Sequence, residues 1–98
     1  MTKADIIKDI QKKTNLSRDL IKLVIDSFME TVKENMSQGE NIYLRGFGSF
    51  LLKERKEKKA RIISKNETII VPAHYKPVFK PAPEFLKSVK ENLTIENN

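Results

Sequence analysis

The chain reads as an α+β domain, on three observations. Over residues 3–36 apolar side chains recur at three- and four-residue steps, the spacing of helices. From Asn41 the pattern changes to alternation, the spacing of strands. After Pro81 a third short helical segment opens at Pro83.

The first helix spans residues 3–13. Thr2 is placed to cap it, and Asp5 three positions on completes a variant of the capping box. Ile6, Ile7 and Ile10 form one apolar face, leaving Lys3, Lys8, Lys12 and Lys13 toward solvent. Asn15 suits the left-handed residue that ends a helix. Ser17 caps a longer helix with Asp19 in its positive first turn. Its apolar positions, Leu20, Ile21, Val24, Ile25, Phe28, Val32 and Met36, are widened by Leu23 and Met29. That stripe exceeds what one covering surface needs, so a subunit interface fits better than an ordinary core. Gly39 stands where a C-terminal glycine belongs.

The chain is organised around residues 44–81, which read as a long two-stranded ribbon with an aromatic root and a cationic tip. Ile42 and Leu44 alternate with Asn41 and Tyr43, and Gly46 and Gly48 bracket Phe47 at a sharp reversal. Phe50-Leu51-Leu52 starts a strand whose continuation, Lys53 to Arg61, is almost wholly charged and so leaves the protein body. The expected turn is Ser64-Lys65-Asn66-Glu67. The return runs through Ile69, Ile70 and Val71, and Pro72 breaks it, since proline is tolerated only at an edge or bulge. In the last helix Glu84 lies in the first turn and Phe85, Leu86 and Val89 form the apolar side. Residues 91–98 read as a polar tail.

Charge is sorted along the chain. Residues 1–52 carry eight Lys/Arg against seven Asp/Glu, residues 53–80 nine against three, and residues 81–98 two against three. The whole net charge of +6 thus resides in the ribbon, the footprint of a polyanion partner. A chain of 98 residues that commits a quarter of its length to a ribbon has little left for a core, which argues for a dimer. With no Cys there is no disulfide or thiolate metal site, and the N-terminus shows no signal pattern. A protein of the cytoplasm, without membrane partner, metal or cofactor, is expected.

These residues argue against an enzyme. His74 is the single histidine, with neither acid nor nucleophile beside it, and the acids interleave with lysines. Gly46-x-Gly48 leads into a strand and lacks a following Lys-Ser/Thr, so it is no nucleotide loop and no small-molecule substrate is expected.

At Gly46-Phe47-Gly48-Ser49-Phe50, with Pro72-Ala73 and Phe79-Lys80-Pro81 at their present distances, the sequence resembles the HU/IHF family of bacterial histone-like DNA-binding proteins. The resemblance covers about residues 2–90, taken as one DNA-binding domain with its arm at about 53–76. It implies an intertwined homodimer, with a heterodimer of paralogues as the alternative. Helix–helix units would support a small antiparallel sheet saddle with two β-arms, whose tips enter the minor groove of duplex DNA and bend it on the nucleoid. Phe28, Phe47, Phe50 and Phe79 would pack the dimer core. DNA contacts would come from Lys3, Arg45, Gly46, Gly48, Ser49, Lys53, Arg55, Lys56, Lys58, Lys59, Arg61, Ile63, Lys65, His74, Lys76, Lys80 and Lys87.

Four departures from the family pattern stand out. Arg61-Ile62-Ile63 replaces the usual Arg-Asn-Pro of the tip, leaving Ile63 as the apolar wedge unless it packs on its own arm or on a neighbour. Asn66 replaces the turn glycine. Glu84 stands in a helix start that normally carries a lysine-rich, phosphate-facing surface, with Lys87 as the nearby substitute. Arg45 before the glycine triplet matches one subunit of the sequence-selective IHF branch. The rival reading is a basic interaction module for acidic protein, kept alive by Glu54 and Glu57, or for RNA, for which no aromatic stacking pair is evident and Tyr43 and Tyr75 read as structural.

Overall fold

The computed structural model describes residues 1–96, which divide into two compact units, Met1–Gln38 and the segment from Gly39 onward. The first is a helical hairpin of α1 (Lys3–Thr14) and α2 (Arg18–Ser37). Its local signals act as the sequence dictates. The Thr2 backbone N–H donates to the Asp5 carboxylate at 2.9 Å, and the Thr2 hydroxyl accepts from the Asp5 N–H, closing the capping box. Asn15 is left-handed at φ 59°, and the Ser17 hydroxyl accepts from the Leu20 N–H at 3.2 Å. Gly39, at φ 95°, follows the C-cap Gln38.

Burial is narrower than the apolar stripes. Among the described residues only Ile7, Ile21 and Met36 are buried hydrophobic side chains. Of the expected α1 face, Ile7 is buried, Ile10 half-buried and Ile6 exposed. On α2 Leu20, Leu23, Val24, Phe28 and Met29 all remain exposed, Leu23 at 63%. Lys3 is not simply solvent-facing: its ammonium reaches Asp26 on α2 at 2.8 Å. No helix among the described residues is long and apolar enough to cross a membrane.

The second unit holds a three-stranded antiparallel sheet of β1 (Ile42–Leu44), β2 (Gly48–Arg55) and β5 (His74–Pro81), in the order β1-β2-β5. A separate two-stranded ribbon pairs β3 (Lys58–Ile62) with β4 (Glu67–Val71), and α3 (Pro83–Asn92) follows. The β1–β2 reversal is closed by the Phe47 N–H donating to the Leu44 carbonyl at 3.0 Å, with Gly46 at φ 81°. Gly48 answers a different demand: a methyl group there would lie 2.6 Å from both the Lys80 carbonyl oxygen and the Phe79 ring. Beyond β1 the Asn41 side chain accepts from the Leu52 N–H at 2.9 Å.

Pro72 does what its chemistry requires. The β2/β5 ladder ends at Arg55↔His74, the β3/β4 ladder begins at Lys58↔Val71, and Lys56-Glu57 and Pro72-Ala73 between them are unpaired. The sheet therefore extends through residues 53–55 and 74–76, and the free-standing arm is shorter than 53–76. The tip turn occupies residues 63–66, one residue earlier than expected, because Glu67 pairs with Ile62. Asn66 takes φ 51°, supplying the positive angle that glycine would otherwise provide. The last helix runs through Asn92, so Glu91 and Asn92 belong to it and not to the tail; residues 97 and 98 of that tail lie outside the described residues.

Candidate nucleic-acid interface

The register of β2 against β5 sorts side chains by face. Successive strand residues point to opposite sides, and directly paired residues share a side. Phe50↔Phe79, Leu52↔Pro77 and Glu54↔Tyr75 therefore lie on one face. Ser49↔Lys80, Leu51↔Val78, Lys53↔Lys76 and Arg55↔His74 lie on the other. Every basic residue of these two strands falls on the second face, and their single acid, Glu54, falls on the first. Six of the expected contact residues (Ser49, Lys53, Arg55, His74, Lys76 and Lys80) thus come together.

The first face is held by aromatic packing. The Phe47 and Phe79 ring centroids are 5.1 Å apart, Phe50 and Phe79 also 5.1 Å, and Phe47 stacks on Phe85 at 5.5 Å. Phe85 was expected only on the apolar side of its helix; the structure makes it the fourth member of the cluster. Phe28 lies in the other unit, on α2. The cluster is still open, Phe47 being 46% exposed and Phe79 39%.

On the cationic face Lys53 stands directly opposite Lys76 and Arg55 opposite His74. The like charges of Lys53 and Lys76 cost stability, on the order of a few tenths to 1 kcal/mol. Nothing among the described residues neutralises them, since all four ion pairs (Lys3–Asp26, Lys22–Asp26, Lys33–Glu30 and Lys87–Glu91) lie on helices. The His74 ring donates through Nδ1 to the Pro72 carbonyl at 2.9 Å, which fixes its orientation. Tyr43, paired with Ser49, belongs to this face too. It lines a shallow groove with Arg45, Gly46, Ser49 and Lys80. The sequence reads Tyr43 as structural, with RNA stacking as its alternative; its alternation with Ile42 and Leu44 was the signal for the face it takes.

The arm repeats the sorting less completely. Lys59 and Arg61 share a face with Ile70 and Thr68, whereas Lys58 shares the opposite one with Ala60, Ile62, Ile69 and Val71. Lys56 sits in the unpaired break and Lys65 in the tip turn. The Arg61 guanidinium donates to the Asn66 side-chain oxygen, tying it to that turn. Ile63 is 90% exposed, so it does not pack on its own arm.

Three expected contacts are not presented as open groups. Gly48 is buried beneath Phe79 and the Lys80 backbone, so its role is close packing. Lys3 is held by Asp26, and Lys87 faces Glu91 at 3.8 Å.

Comparison with known proteins gives this strand pair, cations on one face and aromatics on the other, a family. The family described as bacterial DNA-binding protein matches residues 1–90. The chain belongs to that family. It is 37% identical over 94 residues to an integration host factor subunit beta from Hahella chejuensis, covering 95% of this chain and 96% of the relative. It is 34% identical over 91 residues to the DNA-binding protein HU of Clostridium pasteurianum, covering 93% and 100%. Its fold superimposes on HU from an Anabaena HU–DNA cocrystal structure with a TM-score of 0.85 and 30% identity, over 92% of this chain and 98% of the other. HU and integration host factor subunits match this member of the family almost equally well.

Proposed function

We propose that the chain is an architectural protein of the bacterial nucleoid. It binds duplex DNA as a dimer, enters the minor groove with its β-arms and bends the duplex, reading shape more than sequence. The observation that carries this reading is the segregation of Ser49, Lys53, Arg55, His74, Lys76 and Lys80 on one face of β2/β5, with Glu54 turned away. Directly opposed cations are a standing cost in the free protein and are relieved by phosphate, so the face is built for a polyanion. Likeness to HU crystallised with DNA supports duplex DNA as that polyanion.

The dimer is supported by exposed apolar side chains: Leu23 is 63% and Phe28 45% exposed on α2, and Phe47 46% exposed in the aromatic cluster. A second copy of this chain would cover the α2 stripe and the aromatic cluster. The two arms would then be related by a dyad and place two contacts symmetrically on the DNA.

At the tip Ile63 is the wedge. Opening a base step costs on the order of a few kcal/mol, offset by contacts along the bent duplex. Arg61, Lys59 and Lys65 supply charge without reading bases. The protein acts by binding, with no catalytic step, metal or cofactor. RNA fits less well: Tyr43 and Tyr75 are both exposed but lie on opposite faces, so they form no joint stacking surface.

A mobility-shift titration over several salt concentrations, on straight, pre-kinked and A·T-rich duplexes, tests the reading. The expected result is a log–log salt slope near −0.9 per phosphate contact and tighter binding to the kinked duplex. Equal affinity for straight and kinked duplex, or displacement of DNA by an acidic protein at matched salt, would sink it.

A further inference from the structure

One acid breaks the charge pattern at the place where the body of the sheet meets α3. The Ala82 N–H donates to the Phe47 carbonyl at 2.9 Å and Phe85 stacks on Phe47 at 5.5 Å, so the start of α3 is fastened to the β1–β2 turn. This fixes Glu84 beside that turn. Its Oε2 lies 3.1 Å from the position a Cβ would take on Gly46, so the bare Cα of Gly46 makes room for a carboxylate as well as for the turn angle.

The surroundings are otherwise hospitable to an anion. Arg45, Ser49 and Lys80 line the adjoining groove together with Gly46 and Pro83. Ala82 gives α3 no side-chain cap, so the N–H groups of its first turn have no such partner. Glu84 makes no ion pair among the described residues. Its carboxylate thus stands without an ion-pair partner beside Gly46, one of the residues lining the groove.

We propose that Glu84 is a specificity-determining residue that bars a phosphate from the corner between the Gly46 turn and α3, shortening the stretch of duplex the body contacts. This rests on the duplex-DNA reading above. DNA is then held by the cationic face of β2/β5 and by the arm, and released at the corner where Glu84 stands. The residue limits how far the duplex is followed, independently of what the arm tips do.

The test compares wild type with Glu84→Gln, Glu84→Asp and Glu34→Gln in salt titrations on duplexes of increasing length. Glu34 is exposed on α2, makes no ion pair among the described residues, and reports the effect of removing one negative charge elsewhere. Glu84→Gln is expected to bind several-fold tighter at low salt and to steepen the slope by about 0.9, one further phosphate contact. It should also gain affinity up to a longer duplex than wild type does. Glu84→Asp and Glu34→Gln should keep the wild-type slope. An unchanged slope for Glu84→Gln, or an equal gain from Glu34→Gln, overturns the proposal while leaving the duplex reading intact. Absence of salt-dependent duplex binding by wild type removes both.

Discussion

The root sheet and the arm are two ladders of one register, and they are stabilised by unlike means. From Gly48↔Pro81 to Arg55↔His74, and again from Lys58↔Val71 to Ile62↔Glu67, partners stay in step across the unpaired break at Pro72-Ala73. The root is braced by four phenylalanine rings linked through centroid distances of 5.1–6.2 Å, Phe50 through Phe79 alone, and by the Ala82–Phe47 hydrogen bond. Among the described residues the arm has its own backbone bonds, the Arg61–Asn66 side-chain hydrogen bond at its turn, and a half-covered strip of Ala60, Ile62 and Val71. A two-stranded ribbon without a covered face is marginal in water. The same hairpin therefore serves as scaffold at one end and as an adaptable binding element at the other.

The largest expected effects follow from breaking the root. Phe79 touches three other rings, and Phe79→Ala should cost about 3 kcal/mol or more once a second copy covers the cluster. Gly48→Ala should cost about 1–3 kcal/mol, because the new methyl meets the Lys80 backbone and cannot be accommodated by a side chain alone. Thermal melts check both. Ile69→Ala in the arm should move the same melt by less than either. An arm substitution as damaging as Phe79→Ala would show that the ribbon is part of the cooperative core, and the comparison would fail.

Next in size is a pair of changes with opposite signs. Lys53→Gln and Lys76→Gln remove directly opposed cations. Together they should raise stability slightly, by a few tenths of a kcal/mol up to about 1. They should weaken DNA binding and make the salt slope about 1.8 units shallower, since two phosphates would no longer be neutralised. Weaker binding without relief in the melt would mean that the ammonium groups already diverge in the free protein.

Element types were legible in the sequence because local rules and tertiary packing agree there. Thr2 with Asp5, Asn15, Ser17, Gly39 and Pro83 each mark a boundary by chemistry that holds in any context. Faces were less legible. Which lysines share a side depends on strand register, register depends on where the tip turn falls, and the turn lies one residue earlier than Ser64. Lys58 and Lys59 look equivalent in a run of charges, yet point to opposite sides of the arm. Phe85 could be placed on an apolar helix face but not in the cluster, because the Ala82–Phe47 contact that brings it there joins residues 35 apart. The Lys87–Glu91 pairing was readable from its four-residue spacing, and it reduces what Lys87 offers to DNA.

Ile63 sharpens the contrast at the far end of the arm. At 90% exposure it contributes nothing that folding requires, so Ile63→Ala should leave the melt within about 0.5 kcal/mol of wild type. Its effect should appear in DNA geometry: a smaller bend by fluorescence energy transfer between duplex ends, with low-salt affinity little changed. Arg61→Ala should do the reverse, lowering affinity and salt slope. A bend angle equal to wild type for Ile63→Ala would remove the wedge assignment.

The smallest expected effect separates the helical hairpin from the sheet by pH. Asp26 is held below the usual carboxylate range by its hydrogen bonds to Lys3 and then Lys22, and Asp5 by the Thr2 backbone and hydroxyl. A depressed folded-state pKa contributes stability that is fully present above the unfolded value, near 3.9 for Asp, and lost as pH falls through the folded value. Both residues belong to Met1–Gln38. Acid should therefore loosen the helices from below about pH 4 downward, with little change between pH 5 and 7 from these groups. Asp26→Asn should be less stable than wild type at pH 5, and the two should converge as pH falls below the folded value, because protonation removes in wild type what the substitution has already removed. Helical circular dichroism melts at stepped pH read this directly. Parallel curves that never converge would show that Asp26 acts through packing of its side chain and not through its charge.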